Sequence, residues 1–314
     1  MLSAACGSST NETTGPDAGV DASDASQGPT MDAGVEATRL TWGKVSSSTP
    51  ERLYGVWGSS ASDVWAVGSF GAIGSKGFNL DWRFDVRAAF GVFGNFKSIS
   101  GVSADDMWTV GEAGSIWRGP VWTQVVSGTT QHLYGVWAAS SNDVWAVGND
   151  DTILHFDGSH WSKVSSGTSQ KSFYGIWGSH PNNVWAVGAA GAIVHWDGTQ
   201  WSLAASATSS GLMGVWGSSA TDVWAVGLVG TTVHWDGHRW SKVESQVPNS
   251  LLSVWGSSPS NFWAVGESGT IAHWEGSEWR QVSSGTSDLL RSVWGSSATD
   301  VWAVGEMMVL HGTP

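Results

Sequence analysis

The segment LMGVWGSSATDVWAVGLVGTTVHWDGHRWSKV, residues Leu212–Val243, has close copies before and after it in the chain. Each copy contains a tryptophan that follows an Asp or Asn and one apolar residue. These tryptophans are Trp65, Trp108, Trp145, Trp185, Trp224, Trp263 and Trp302, at spacings of 43, 37, 40, 39, 39 and 39 residues. Seven copies of about 40 residues indicate a closed or stacked repeat architecture.

Within one copy, apolar residues alternate or form short blocks between turn residues, and none of them follows a helical spacing over ten residues. Four strands are predicted for this copy: Leu212–Trp216, Asp222–Gly227, Thr231–Trp235 and Trp240–Val243. Four short antiparallel strands repeated seven times are typical of an all-β, seven-bladed β-propeller.

The pairing of the two middle strands is predicted from the short connection Gly227–Gly230, which places Trp224 opposite Val233. That register gives one bulky face, with Trp224, Val226, Val233 and Trp235, and one face of smaller residues. We expect the bulky face of each blade to pack on the smaller face of the next blade.

The ends of the repeat region predict how the ring closes. The last copy stops after three strands, and Leu40–Ser48 resembles the missing fourth strand, with Trp42 at the tryptophan position. Pairing this N-terminal strand with the last copy would leave no open sheet edge. All 24 tryptophans of the chain fall at four repeated strand positions, so none is left over for an isolated site.

The N-terminal residues differ in composition from the repeats. Residues 7–38 are rich in Ser, Thr, Gly, Ala and Asp and contain no Lys or Arg, which predicts a disordered acidic tether. Residues 1–6 end in Cys6, the single cysteine, in a setting that resembles the end of a bacterial lipoprotein signal. Five residues cannot supply the charged and apolar regions of such a signal. Either the true start lies upstream and Cys6 is lipidated, or Cys6 is a free thiol.

The charge of the chain excludes some classes of partner. Residues 39–314, the predicted propeller, contain 21 acidic and 14 basic residues, a net charge of −7, without a basic cluster. Such a surface is unsuited to nucleic acid and to anionic lipids. Membrane attachment is expected only through a lipid anchor. We expect an exported protein, either periplasmic or a lipoprotein of the outer membrane or cell surface.

The first copy departs from the others. Its expected third strand is replaced by Gly71–Leu80, and six of the nine phenylalanines of the chain lie in this copy. Two interpretations remain open: the phenylalanines fill the core of a degenerate repeat, or the copy forms an asymmetric partner site. The candidates for partner binding are Arg83, Arg87, Phe90 and Phe93.

The repeat Gly214–Ser241 resembles the propeller repeats of bacterial lipoproteins that are loosely grouped with Kelch-like, sialidase-repeat and photosystem-assembly-factor-like propellers. Its Asp-Gly-x-x-Trp turns, such as Asp236–Trp240, are similar to the Asp-box hairpin of sialidase-type propellers but one residue shorter. The resemblance implies a structural turn rather than a catalytic element. The tryptophan-rich blades are also similar, more weakly, to tectonin-like propeller lectins, which implies sugar binding.

Two repeated polar positions are expected to be structural. The histidines lie on the third strands, where copies from different blades diverge and cannot share one metal ion; they are His155, His195, His234, His273 and His311. The Asp or Asn two residues before each repeat tryptophan is expected to accept turn hydrogen bonds. No catalytic, cofactor or metal-binding residues are predicted.

The function predicted from the sequence is a monomeric, non-enzymatic binding or scaffold propeller. It would present its variable loops between the second and third strands, such as Leu228-Val229 and Glu267-Ser268, to a protein or glycan partner. One alternative is a multivalent lectin that uses the recurring turn serines Ser218, Ser219, Ser257 and Ser258. A second alternative is a lyase or hydrolase with its site in the first two copies.

Overall fold

The computed structural model describes residues 39–45, 47, 51–77, 81–86, 94–169 and 171–314. These residues form seven four-stranded antiparallel sheets, together with three-residue 3-10 turns such as Leu228–Gly230. The predicted tether 7–38 and Cys6 lie outside the described residues. No helix in the described part of the chain is long and apolar enough to cross a membrane.

Each sheet is one blade of a seven-bladed β-propeller, so the predicted fold class is confirmed. The first and second blades comprise β2 (Leu53–Ser60), β3 (Asp63–Gly68), β4 (Ala72–Lys76), β5 (Trp82–Val86), β6 (Phe96–Ser103), β7 (Asp106–Gly111), β8 (Ile116–Arg118) and β9 (Thr123–Val125). The third and fourth comprise β10 (Leu133–Ser140), β11 (Asp143–Gly148), β12 (Ile153–Phe156), β13 (Trp161–Val164), β14 (Phe173–His180), β15 (Asn183–Gly188), β16 (Ile193–Trp196) and β17 (Trp201–Leu203). The fifth and sixth comprise β18 (Leu212–Ser219), β19 (Asp222–Gly227), β20 (Thr232–Trp235), β21 (Trp240–Val243), β22 (Leu251–Ser258), β23 (Asn261–Gly266), β24 (Ile271–Trp274) and β25 (Trp279–Val282). The seventh comprises β26 (Leu290–Ser297), β27 (Asp300–Gly305), β28 (Met308–Thr313) and β1 (Thr41–Val45).

The N-terminal strand closes the ring as predicted. Strand β1 pairs antiparallel with β28, from Thr41 opposite Thr313 to Val45 opposite Val309. Leu40 is 4% exposed in the core that the sixth and seventh blades share, and Trp42 packs against it. The first and last blades are therefore joined without an open sheet edge between them.

The predicted register of the middle strands is wrong by one residue. Trp224 lies opposite His234, not Val233, because Val229 adopts a left-handed conformation in the connecting turn and lengthens it. A shift of one residue moves every side chain to the other face of a strand. Val233 and Trp235 therefore share a face with Ala225, and the predicted bulky face does not form as described.

The third strand of the first blade is also present, contrary to the prediction. Strand β4 pairs with β3 on one side and with β5 on the other. The rest of the predicted replacement, residues 78–80, lies outside the described residues. The unusual composition of Gly71–Leu80 reflects small residues in the strand, such as Gly74, which faces the ring of Phe84.

Large side chains meet small ones where the first strands of neighbouring blades pack at the centre of the ring. A Cβ atom added to Gly217 would lie 2.6 Å from Cη2 of Trp177 in the preceding blade. The same contact recurs at six junctions, Trp57 on Gly101, Trp137 on Gly178, Trp177 on Gly217, Trp216 on Gly256, Trp255 on Gly295 and Trp294 on Gly58. At the seventh junction the pair is Ser100 and Ala138, and the backbone N–H of Ala138 donates to Ser100 Oγ over 3.3 Å.

In six of the seven blades, the second-strand tryptophan is buried between that blade and the next. Trp185 lies 5.0 Å from Trp235 and 5.3 Å from Trp240, measured between ring centroids. Around these rings, Val223, Ala225 and Val233 of the fifth blade are fully buried. The core is therefore a ring of apolar clusters, each shared by two blades.

Candidate functional site

A β-bulge in the first strand of every blade directs one side chain toward the axis of the ring. In the fifth blade, Leu212 pairs with Gly227 and Gly214 with Val226, so Met213 is the extra residue. The same irregularity occurs in all seven first strands, and bulges commonly re-aim a side chain in this way. The extra residues, which we call the axial ring, are Tyr54, Lys97, Tyr134, Tyr174, Met213, Leu252 and Arg291.

The axial ring surrounds a narrow cavity. Its side chains are half-buried, and the cavity has a volume of about 150 Å³. Sites for drug-sized molecules usually occupy 300–1,000 Å³. The cavity therefore has the size for one inserted side chain rather than for a larger ligand.

The chemistry of the axial ring differs from one side to the other. Lys97 Nζ lies 4.2 Å and Arg291 Cζ 4.7 Å from the ring centroid of Tyr54, so two cations contact one aromatic ring. Met213 and Leu252, from the fifth and sixth blades, are apolar. An asymmetric ring of this kind can fix the orientation of a bound segment, which seven equivalent positions could not do.

Carboxylates hold the two cations in place. Lys97 Nζ lies 3.0 Å from Glu112 Oε1, and Arg291 Nη2 lies 2.7 Å from Glu306 Oε1. Glu306 also pairs with Arg52 at 2.7 Å. Burial alone would raise the pKa of Glu112, but hydrogen bonds from Asn95 and Lys97 outweigh it and lower that pKa. Three cations thus share two carboxylates on this side of the axial ring.

Exposed apolar side chains stand around the axial ring, in the turns between the second and third strands. Phe70, Val229 and Met307 have φ angles of 53°, 54° and 51° and are 56%, 76% and 56% exposed. A β-branched residue is rarely found in this left-handed region. These turns lie at the blade ends where the first strands begin, so they share one face of the propeller with the axial ring. We call this surface the axial face.

Of the four predicted partner-binding residues, the structure describes only Arg83. Arg83 is exposed on β5, on the edge of the first blade. Arg87, Phe90 and Phe93 lie outside the described residues. The structure does not bring Arg83 to the axial ring.

The predicted sugar-binding serines lie at the opposite ends of the first strands, where they take part in turn hydrogen bonds. Ser218 Oγ donates to Asp222 Oδ2, and Ser219 Oγ lies 3.3 Å from Thr221 Oγ1. In the sixth blade, Ser257 Oγ donates to the carbonyl oxygen of Asn261 over 3.4 Å, and Ser258 Oγ lies 3.4 Å from Ser260 Oγ. These contacts occupy hydroxyl groups that the lectin interpretation would use for a sugar.

The repeated histidines stack on the tryptophans of their own blades. The centroid distances are 4.2 Å for His155 on Trp145, 4.1 Å for His195 on Trp185, 4.2 Å for His234 on Trp224, 3.8 Å for His273 on Trp263 and 3.8 Å for His311 on Trp302. Each Nε2 also lies 2.6–2.8 Å from the Asp or Asn two residues before the tryptophan. In the described residues, no three His, Cys, Asp or Glu side chains converge on a point that could hold a metal ion.

The Asp-Gly turns between the third and fourth strands are held by their aspartates. Asp197 Oδ1 accepts hydrogen bonds from Thr199 Oγ1, Gln200 N and Thr199 N at 2.7–2.9 Å, which lowers the pKa of its carboxyl to about 2. Asp236 accepts from the N–H groups of His238 and Arg239 in the same way. The carboxylates are therefore engaged in shaping the turn.

The axial ring was not among the predicted sites, although the repeats contain a signal for it. The second residue of the first strand varies among Tyr, Lys, Met, Leu and Arg, while the residues before and after it hardly change, and all three tyrosines of the chain occupy this position. Alternation alone does not show where such a residue points, because a bulge changes the direction of one side chain without a sequence signature of its own.

No family model matches the sequence, and no curated protein matches it. Solved structures do match the fold. YCF48 bound to D1 peptide aligns with a TM-score of 0.70 at 15% identity, over 89% of this chain and 96% of that chain. YCF48 from Cyanidioschyzon merolae aligns with a TM-score of 0.70 at 15% identity, over 87% and 99%.

Two further propellers match as well. The WD40 β-propeller domain of Doa1 gives a TM-score of 0.75 at 13% identity, over 88% of this chain and 97% of that one. Streptogramin B lyase gives 0.74 at 15% identity, over 87% and 97%. Identities this low establish the shared fold alone. The chain is a β-propeller, similar in fold to YCF48, to a WD40 propeller and to streptogramin B lyase.

Proposed function

We propose that this protein is a non-enzymatic binding or scaffold propeller whose axial face holds a segment of a protein partner. The observation that carries this proposal is the axial ring, where seven bulges place seven unequal side chains around a cavity of about 150 Å³. The propeller fold is consistent with such a role, since the similar structures include one bound to a peptide.

The composition of the axial face supports a protein partner. Tyrosine and arginine are enriched among the residues that dominate binding energy at protein interfaces, and Tyr54 and Arg291 are in direct contact here. The exposed Phe70, Val229 and Met307 lie on the same face of the propeller, where they would contact the rest of the partner segment. A partner segment that places one side chain in the cavity would contact the axial ring and the exposed turns at once.

We also propose that the protein acts outside the cytoplasm. In this proposal Cys6 is lipidated and residues 7–38 tether the propeller to the outer membrane or cell surface. The sequence around Cys6 and the acidic composition of residues 7–38 support it.

Site-specific photo-cross-linking in the native host tests the axial proposal. A photoreactive benzoylphenylalanine at Val229, on the axial face, should yield a defined cross-linked protein. The matched control carries the same residue at Leu203, which is 61% exposed on the outer strand β17. Replacing Tyr134 and Tyr174 with Ala should then remove the cross-link at position 229 without unfolding the ring.

Two results would contradict the proposal. Equal cross-linking at positions 229 and 203 would show that no particular face is used. A folded Tyr134→Ala, Tyr174→Ala variant that still cross-links through position 229 would show that the axial ring does not bind the partner. Glycan binding that depends on Ser218 and Ser219 instead would assign the lectin function.

A further inference from the structure

A cleft of about 250 Å³ opens over Trp65, between the first and second blades. Ser75 and Arg83 of the first blade line it, together with Pro120 and Trp122 of the second. Trp65 is half-buried, whereas the other six second-strand tryptophans are at most 3% exposed. The ring of Trp65 is therefore accessible where its counterparts are covered.

Two replacements in the repeat remove the cover from Trp65. Ser75 pairs with Trp65 at the position where His155 pairs with Trp145 in the third blade. In the second blade, the N–H of Gly119 donates to the carbonyl of Met107, which places Gly119 where the third blade has Phe156. Trp65 thus lacks both the imidazole of its own blade and the aromatic ring of the next one.

The other blades show what fits against this indole. Five of them place an imidazole 3.8–4.2 Å from the tryptophan. The second blade uses the guanidinium of Arg118, 4.8 Å from Trp108. In all six filled blades a planar group with an N–H donor covers the tryptophan, and in five it is an imidazole.

The first blade also retains the acceptor for such a ring. Asp63 Oδ1 accepts a hydrogen bond from Trp65 Nε1 over 2.7 Å. In the fifth blade, Asp222 Oδ1 accepts from Trp224 Nε1 over 3.1 Å and also from His234 Nε2 over 2.7 Å. A carboxylate oxygen can accept more than one hydrogen bond, so Asp63 is placed to accept the second bond that His234 makes in the regular blade.

We propose that the cleft over Trp65 is a binding site for an imidazole ring, supplied by a histidine side chain of a partner segment. The ring would stack on Trp65 and donate a hydrogen bond to Asp63, as the internal histidines do. This inference goes beyond the axial proposal, because the cleft lies at the other ends of the blades, near the turn at Pro120, and uses no residue of the axial ring.

Titration of the full-length protein tests the proposal, with the indole N–H signals of its 24 tryptophans followed by NMR. The probes are imidazole and N-acetylhistidine methylamide, and the comparison probe is N-acetylleucine methylamide. Both imidazole probes should shift the Trp65 signal, which a Trp65→Phe variant assigns, and the leucine probe should not. In a Ser75→His variant, the new histidine side chain should cover Trp65 itself and weaken the binding of both imidazole probes at least tenfold.

A reciprocal variant controls for the probe. His155→Ser removes the imidazole from Trp145, so the Trp145 signal should become sensitive to imidazole. A response at Trp145 in this variant without a response at Trp65 would overturn the proposal, and so would an equal response of Trp65 to the leucine probe. Binding of imidazole but not of the histidine amide would exclude a side chain as its source. A response that appears only after Phe90 and Phe93 are changed to Ala would show that the chain fills its own cleft.

Discussion

Replacing Gly217 with Ala tests whether the contact between Trp177 and Gly217 sets the spacing of the blades. The added Cβ would lie 2.6 Å from Trp177 Cη2 and 2.7 Å from the carbonyl oxygen of Asp222. Both distances are shorter than any real Cβ contact, so the indole or the backbone must move. Overpacking of this kind costs about 1–3 kcal/mol.

The size of the effect can be converted into a melting temperature. Unfolding entropy near 2.1 cal/mol/K per residue gives about 0.6 kcal/mol/K for residues 39–314, so a loss of about 2 kcal/mol lowers the Tm by roughly 3 °C. The seventh junction already has a compensated pair: Ser100 stands at the tryptophan position and Ala138 at the glycine position. The smaller side chain of Ser100 leaves room for the methyl group of Ala138. In a Trp177→Ser background, Gly217→Ala should therefore cost clearly less than in the wild type.

A double-mutant cycle measures this difference by calorimetry or chemical denaturation. The coupling between the two positions should be about 1–2 kcal/mol and favourable. Part of the penalty should persist in both backgrounds, because the carbonyl of Asp222 is close in each. An equal cost of Gly217→Ala in the two backgrounds would refute the idea that Trp177 limits the space.

Further predictions concern the turns, the closure, the anchor and the dependence on pH. Val229→Gly should raise the stability of the ring by about 1 kcal/mol, because it relieves a left-handed β-branched residue, and a lowered Tm would contradict this. Deleting residues 39–48 should lower the Tm far more than deleting 7–38, since only the first deletion removes β1; equal Tm values would oppose closure by β1. Cys6→Ala should move the protein from the membrane to the soluble fraction of the host, and continued attachment would exclude the lipid anchor. Burial lowers the pKa of His195, so the unfolded chain binds a proton more readily than the folded protein. The free energy of unfolding should therefore fall as pH drops below about 6.5. Denaturation at pH 7.5 and 5.5 should show a smaller difference in this free energy for His195→Gln than for the wild type.

The strands and their number could be predicted because each blade repeats the same sequence. Seven copies average out the ambiguity of any single short apolar run, and Trp42 supplied the position of the closing strand. The register of the middle strands could not be derived in the same way. It depends on the left-handed conformation of Val229, which a residue of that type seldom adopts.

The candidate site was harder to predict than the fold. The histidine position could be assigned a structural role from its place on the third strand, but its stacking on Trp224 required the correct register. The axial ring depends on a bulge, and the cleft over Trp65 depends on residues from two blades, Ser75 and Gly119. Contacts between copies are not visible in a repeat that is read one copy at a time.

The pairing of β1 with β28 also sets an order of events during synthesis. Thr41 Oγ1 donates to the carbonyl oxygen of Thr313 over 3.1 Å, across 272 residues of chain. Strand β1 is therefore made before the other strands of the ring but finds its partner only after β28 has been made. Until then β1 is an unpaired strand, and unpaired strands invite association with other chains. Strand β1 has only five residues and carries the exposed Lys44. Short strands and lysine side chains both discourage pairing with other chains while β28 is still missing.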